Sequence, residues 1–120
     1  LFGFKGRVHF QVAELINDDL LKLDASLPKT ELFACVSALI DRKIHANYRL
    51  YPGNYVACDL LDGTTTFAGN YSAEDKQTFE DYIAGQLDKI SILNKDVEFL
   101  REKLLVMYAN PVINYLAASR

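Results

Sequence analysis

Between residues 4 and 12 apolar and polar side chains alternate along the chain. Val8, Phe10 and Val12 fall on one side of an extended backbone, and Arg7, His9 and Gln11 on the other. A period of two predicts a half-buried β-strand. It is the one convincing strand in the sequence, and a lone strand makes no sheet. The expectation is therefore an N-terminal arm that pairs with a strand outside the segment or lies across helices.

From there the period changes. Residues 13–27 carry scattered leucines broken by Asp and Asn, and read as mostly loop with room for a short helical turn. Pro28 suits the first turn of a helix, where its missing N–H does no harm. Leu32, Phe33, Val36, Leu39, Ile40 and Ile44 follow at spacings of three and four, which predicts an amphipathic helix to about residue 47. Pro52-Gly53 interrupts any continuation. Asn54 is a candidate N-cap, and YVACDLL after it fits either a short helix or an extended segment, closed by Gly63. TTTFAGN reads as a connector with room for a brief strand. Ser72 and Asp75 form a capping box with Asp in place of Glu. The helix they start shows Phe79, Tyr82, Ile83, Leu87 and Ile90 on one face and runs to about residue 92. Asp96 can cap the next helix, which carries Val97, Leu100, Leu104, Met107 and Tyr108 on one stripe with Glu98, Arg101 and Glu102 opposite. Asn110-Pro111 is expected to end it and to open a final short helix. The two long helices after Ser72 should pair as an antiparallel hairpin.

The predicted fold class is thus mainly α: a small bundle of three to four amphipathic helices behind a strand-like N-terminal arm. At 120 residues the chain has the length of one domain. Residues 1–13 are expected to be a terminal strand of an upstream domain, and 14–120 the helical part. The sequence begins without Met, already in strand-like composition, which suggests a piece of a longer protein.

Composition narrows the function. A net charge of −3 with no basic stripe argues against nucleic acid, because neutralising phosphates takes clustered Lys and Arg. Cys35 and Cys58 lie in apolar surroundings without CxxC spacing, and His9 and His45 do not complete a zinc set. Two buried free thiols in a reducing compartment are expected, with a single disulfide as the minority alternative, and with no metal and no cofactor. No apolar run approaches the roughly 20 residues of a membrane span.

Candidate chemistry is sparse. There is no Gly-x-Ser-x-Gly elbow and no Gly-rich phosphate loop. His9 and Glu14 form an H-x4-E pair. A His base oriented by a carboxylate would suit attack by a hydroxyl, but in a strand positions five apart face opposite sides. A surface histidine is the plainer reading, and no catalytic residue is assigned. The stretch HANYRLYPGNY is richer. Arg42, His45, Tyr48, Arg49, Tyr51, Asn54 and Tyr55 are the candidate ligand-binding residues: cations for an anionic head group, and tyrosines with one apolar and one wet end. The plainer reading is a helix-to-helix corner whose tyrosines pack into the core.

Three phrases bear a family likeness. KGRVHF at 5–10 with Ala13-Glu14-Leu15 is similar to a strand after the catalytic motifs of bacterial phospholipid/glycerol acyltransferases, the lysophosphatidic acid acyltransferase-like family. IDRKIHANYRLYPGNYVACDLL at 40–61 and FLREKLLVMYANPVINYL at 99–116 resemble the C-terminal extension of one subgroup. The family's H-x4-D, phosphate-binding arginine and Pro-Glu-Gly motifs have no counterpart here. The resemblance implies a non-catalytic C-terminal domain, inactive alone. Its parent would transfer an acyl group to a lysophospholipid-like acceptor in phospholipid biosynthesis, at the cytoplasmic face of the inner membrane. Implied partners are the upstream acyltransferase domain, lipid head groups, and a second copy through residues 4–12. The alternative is an independent helical protein-interaction module, using the face of 79–108.

Overall fold

No helix continues through Pro52, as expected, and the same proline starts the next one. The structure, a computed structural model, describes residues 6–119, and its helices are α1 (Asn17–Leu21), α2 (Lys29–Ala46), α3 (Pro52–Asp62), α4 (Ala73–Asp88) and α5 (Val97–Ala118). The fold is mainly α, as the period-three-to-four spacing predicts. A short 3₁₀ turn covers Ala68–Asn70, in the connector expected to hold a brief strand. No strand occurs among the described residues. Residues 6–16 form no regular element, so the described part of the predicted arm is not a strand; Phe4 and Lys5 lie outside the described residues.

The chain divides into two compact units. One runs up to Arg49 and includes the chain end from Tyr115; the other is Leu50–Asn114.

The second unit holds the core: Val56, Ala57, Cys58, Phe79, Ile83, Leu87, Leu105, Ala109 and Val112, drawn from α3, α4 and α5. Each fully buried Val or Leu contributes about 1.5–3 kcal/mol by leaving water. Helix α3, for which the sequence left helix and extended chain both open, is the most buried element. Pro52 at its first position presets the backbone and needs no partner for an N–H. That moves the start two residues upstream of the expected cap. Asn54 becomes the third helical residue, and its Oδ1 accepts the backbone N–H of Tyr51 at 2.9 Å. Gly53 lets this end touch α4, because a Cβ there would stand 3.0 Å from the Phe79 ring. Gly63, at φ 65°, ends the helix in the left-handed conformation that glycine tolerates best.

Helix α4 begins as the capping box predicts. Ser72 Oγ accepts the N–H of Asp75 at 3.0 Å, and an Asp75 carboxylate oxygen accepts the N–H of Ser72 at 2.9 Å. The helix ends at Asp88, short of the expected residue 92. Lys95 Nζ donates to the carbonyls of Leu87 and Ile90 at 3.0 and 3.2 Å, placing a cation where the helix dipole is negative. Asp96 caps α5, accepting the N–H of Phe99 at 3.1 Å. Helices α4 and α5 are antiparallel: Phe79 and Tyr82 meet Tyr108, while Leu87 shares a cavity wall with Arg101.

Pro111 does not end α5, which runs on to Ala118. A proline inside a helix removes one N–H and crowds the preceding turn. Donors from α3 meet that turn: Asn54 Nδ2 reaches the Tyr108 carbonyl at 2.9 Å and the Cys58 thiol the Ala109 carbonyl at 3.6 Å. The buried side of α5 is also rotated from the expected stripe. Leu105, Ala109 and Val112 are buried, whereas Val97 and Met107 are exposed.

In the first unit, Leu39 is the one buried residue among those described. Lys43 Nζ ties α2 to the preceding segment, 3.1 Å from Glu14 and 3.5 Å from Asp19.

Candidate functional site

The seven residues singled out around HANYRLYPGNY do not belong to one compact unit, since the division falls between Arg49 and Leu50. Arg42, His45, Tyr48 and Arg49 lie in the first. There the His45 and Tyr48 rings meet at 5.3 Å, tilted by 46°, at the end of α2, and Arg42 is exposed. Lys43, their neighbour in the basic cluster, is held by Glu14 and Asp19. The hydrogen bond to Glu14 is the main cause of its raised pKa. Part of the cluster's positive charge is therefore neutralised within the unit.

Tyr51, Asn54 and Tyr55 lie in the second unit. Asn54 joins Tyr51 to Tyr108 through both ends of its amide. Tyr55 packs on Phe67 at 5.5 Å and borders the core.

His9 and Glu14 do not pair. His9 Nε2 lies 3.3 Å from Gln11 Oε1, and Glu14 accepts from Lys43. Among the described residues no group of His, Cys, Asp and Glu is placed to hold a metal ion. No described helix is long and apolar enough to cross a membrane. Both cysteines are free thiols, Cys58 buried and Cys35 half-buried. Burial, reinforced by Asp62 and Asp59, pushes the Cys58 thiol up to about 11, so it is a poor nucleophile.

Two features escaped the sequence. The first is a buried carboxylate. Asp59 is 3 % exposed. It accepts the Thr64 hydroxyl at 3.0 Å, the Phe67 N–H at 3.2 and 3.1 Å, and the Tyr71 hydroxyl at 2.8 Å. The Tyr71 phenol is raised by that bond above all. With every oxygen occupied, Asp59 pins the connector 63–72 and leaves no lone pair aimed at a ligand. A buried charge survives when hydrogen bonds replace its water. Only the lone Asp inside the apolar run VACDLL could have signalled it.

The second is a groove in the same unit. Two half-open hollows of about 250 and 410 Å³ share Leu60, Arg101 and Leu105 and so form one trough between α3, α4 and α5. Its floor adds Leu61, Ile83 and Leu87. Its rim carries Glu80, Glu98 and Glu102 against the single cation Arg101. Glu98, Arg101 and Glu102 were legible as the polar side of a helix; that α3 and α4 rise beside them was not. The arrangement suits binding of an apolar group flanked by positive charge, and offers no nucleophile with an adjacent base.

No protein-family model, curated protein or solved structure matches this chain.

Proposed function

We propose that this chain is a non-catalytic, helical C-terminal domain of a glycerolipid acyltransferase, helping the enzyme hold substrate, membrane or partner. The parent would acylate a lysophospholipid-like acceptor at the cytoplasmic face of the inner membrane. The family likeness of residues 5–15, 40–61 and 99–116 supplies the class of enzyme. The observation that carries the domain's role is the exposed apolar stripe of α2: Phe33, Ile40 and Ile44 lie on one side of the helix by their spacing and are all exposed. Apolar surface kept in water is usual where a partner covers it. The missing motifs and the separate engagements of His9 and Glu14 support a non-catalytic role.

The test starts with the sequence encoded upstream of Leu1, where an in-frame H-x4-D domain is expected. The full enzyme is then compared with a version lacking 14–120, scoring acyl transfer and membrane attachment. Both should fall on deletion, and this chain alone should transfer nothing. Unchanged activity and attachment after deletion would remove the role. A second reading, an independent protein-interaction module, is favoured by the groove of the second unit, which is formed without any upstream domain.

A further inference from the structure

The trough between α3, α4 and α5 lies wholly within the Leu50–Asn114 unit. Its α4 wall runs from Glu80 to Leu87 and its α5 wall from Glu98 to Leu105. Each wall is two helical turns, roughly 10 Å long. Half-buried Leu60 and Leu61 and exposed Ala84 supply the apolar surface still open to a ligand. Glu80, Glu98 and Glu102 stand on the rim with Arg101, and none of the four forms a hydrogen bond or ion pair among the described residues. Three carboxylates against one guanidinium leave an excess of negative charge for a ligand to meet. The walls also select the kind of ligand. An extended peptide gains main-chain hydrogen bonds from a sheet edge, and no strand occurs among the described residues. The walls are helices, whose backbone groups bond within the helix. A helical ligand likewise satisfies its own backbone, and anchors at i, i+4 and i+7 span the same two turns.

We propose that the trough receives a basic amphipathic helix of another protein. Its apolar anchors cover Leu60, Leu61 and Ala84, and Lys or Arg side chains on its flanks meet Glu80, Glu98 and Glu102. Opposite charge sets the orientation and excludes acidic helices. The exposed α2 stripe of a second copy is a poorer fit, because Lys43 is already held by Glu14 and Asp19, and Asp41 adds a carboxylate. So short a contact covers less than the roughly 800 Å² per partner typical of a stable complex, so binding is weak and reversible. Such docking rests on the interaction-module reading and names that module's partner; it makes no use of the acyltransferase parentage. Failure of the deletion assay leaves peptide binding standing, and the reverse holds too.

The experiment is fluorescence anisotropy on the whole chain at low salt, with circular dichroism as a fold check on every variant. The probe is a labelled, alanine-rich helical peptide with leucines at i, i+4 and i+7 and a lysine beside each. Saturable micromolar binding is expected, weakening as salt is raised. Glu98→Gln with Glu102→Gln should weaken it about tenfold. Ala84→Trp changes no charge but fills the trough, and should weaken it as much. Arg101→Ala removes the one like charge and should strengthen binding about threefold. No saturable binding up to millimolar peptide would overturn the proposal. So would equal binding of a peptide with the same composition but scattered leucines, tighter binding of a version with glutamates for lysines, or indifference to Ala84→Trp. A chain that dimerises in sedimentation equilibrium, and loses the dimer through Ala84→Trp, would overturn it in favour of a second copy as occupant.

Discussion

The two units spend their apolar residues in opposite ways. The Leu50–Asn114 unit buries nine hydrophobic residues in one cluster and seals its loops with a buried carboxylate, a capping box and a lysine on the end of α4. The unit containing α1 and α2 is comparably rich in leucine, valine and phenylalanine, yet one of its described residues is buried. An amphipathic pattern thus shows which side of a helix wants cover and says nothing about whether the chain itself supplies it. The first unit's stripe leaves Phe33, Ile40 and Ile44 exposed, whereas the second's is buried in one cluster.

The largest effect should come from cutting into the second unit's core. Leu105→Ala removes a side chain packed by all three helices and should cost about 3–5 kcal/mol in chemical denaturation. The comparison breaks if Phe33→Ala in the first unit costs as much. Next is Asp59→Asn, which keeps the shape but removes the charge that Phe67 N–H and Tyr71 hydroxyl donate to. A loss of about 2 kcal/mol is expected, with faster amide exchange at Phe67. Slow exchange there in the variant would show that the connector is held by packing instead.

Alkaline pH sharpens the same contrast. Burial, with a 2.8 Å hydrogen bond shared with Tyr82, raises the Tyr108 phenol from 10 to about 12. The folded state therefore prefers the protonated phenol. That contribution is fully present below pH 10 and is lost as pH rises from 10 to 12. Stability of the second unit should decline in that window, and Tyr82→Phe should reduce the decline, as followed by phenolate absorbance alongside helicity. Thiol chemistry gives a smaller signal. Half-buried Cys35 should react with a disulfide reagent at pH 8 well before buried Cys58, whose thiol is raised to about 11. The smallest stability effect is expected from Phe10→Ser, within about 0.5 kcal/mol for the monomer, because its ring is already in water. A larger loss would mean that the segment is covered within its own copy.

Local chemistry was legible wherever partners are close in sequence. Ser72 with Asp75, and Asp96, mark two helix starts because their side chains accept N–H groups within three residues; Pro28 marks a third from the N-cap, one residue before the expected first turn, with no side-chain cap. The stripe Phe79, Ile83 and Leu87 also became core, since helical spacing alone places those side chains together. The candidate site was legible only as composition. His45, Tyr48 and Arg49 could be grouped with Tyr51, Asn54 and Tyr55 by proximity along the chain, yet they fall in different compact units. Glu98, Arg101 and Glu102 could be placed on one helix side. The groove they border needs Leu60 and Glu80 from elements 40 and 20 residues away, and helical periodicity does not encode such neighbours.

What the sequence by itself determined is the helical class, most helix starts, and which residues seek burial; these follow from backbone propensity and the 3.6-residue period. Tertiary structure alone decided the rest. It turned YVACDLL into a buried helix, because α4 and α5 cover its apolar sides and the connector 63–72 satisfies Asp59. It carried α5 through Pro111, where Asn54 and Cys58 serve the carbonyls of the preceding turn. It also left Phe33, Ile40 and Ile44 of α2 exposed. Burial and hydrogen-bond satisfaction depend on atoms distant along the chain, and only the folded arrangement brings them within reach.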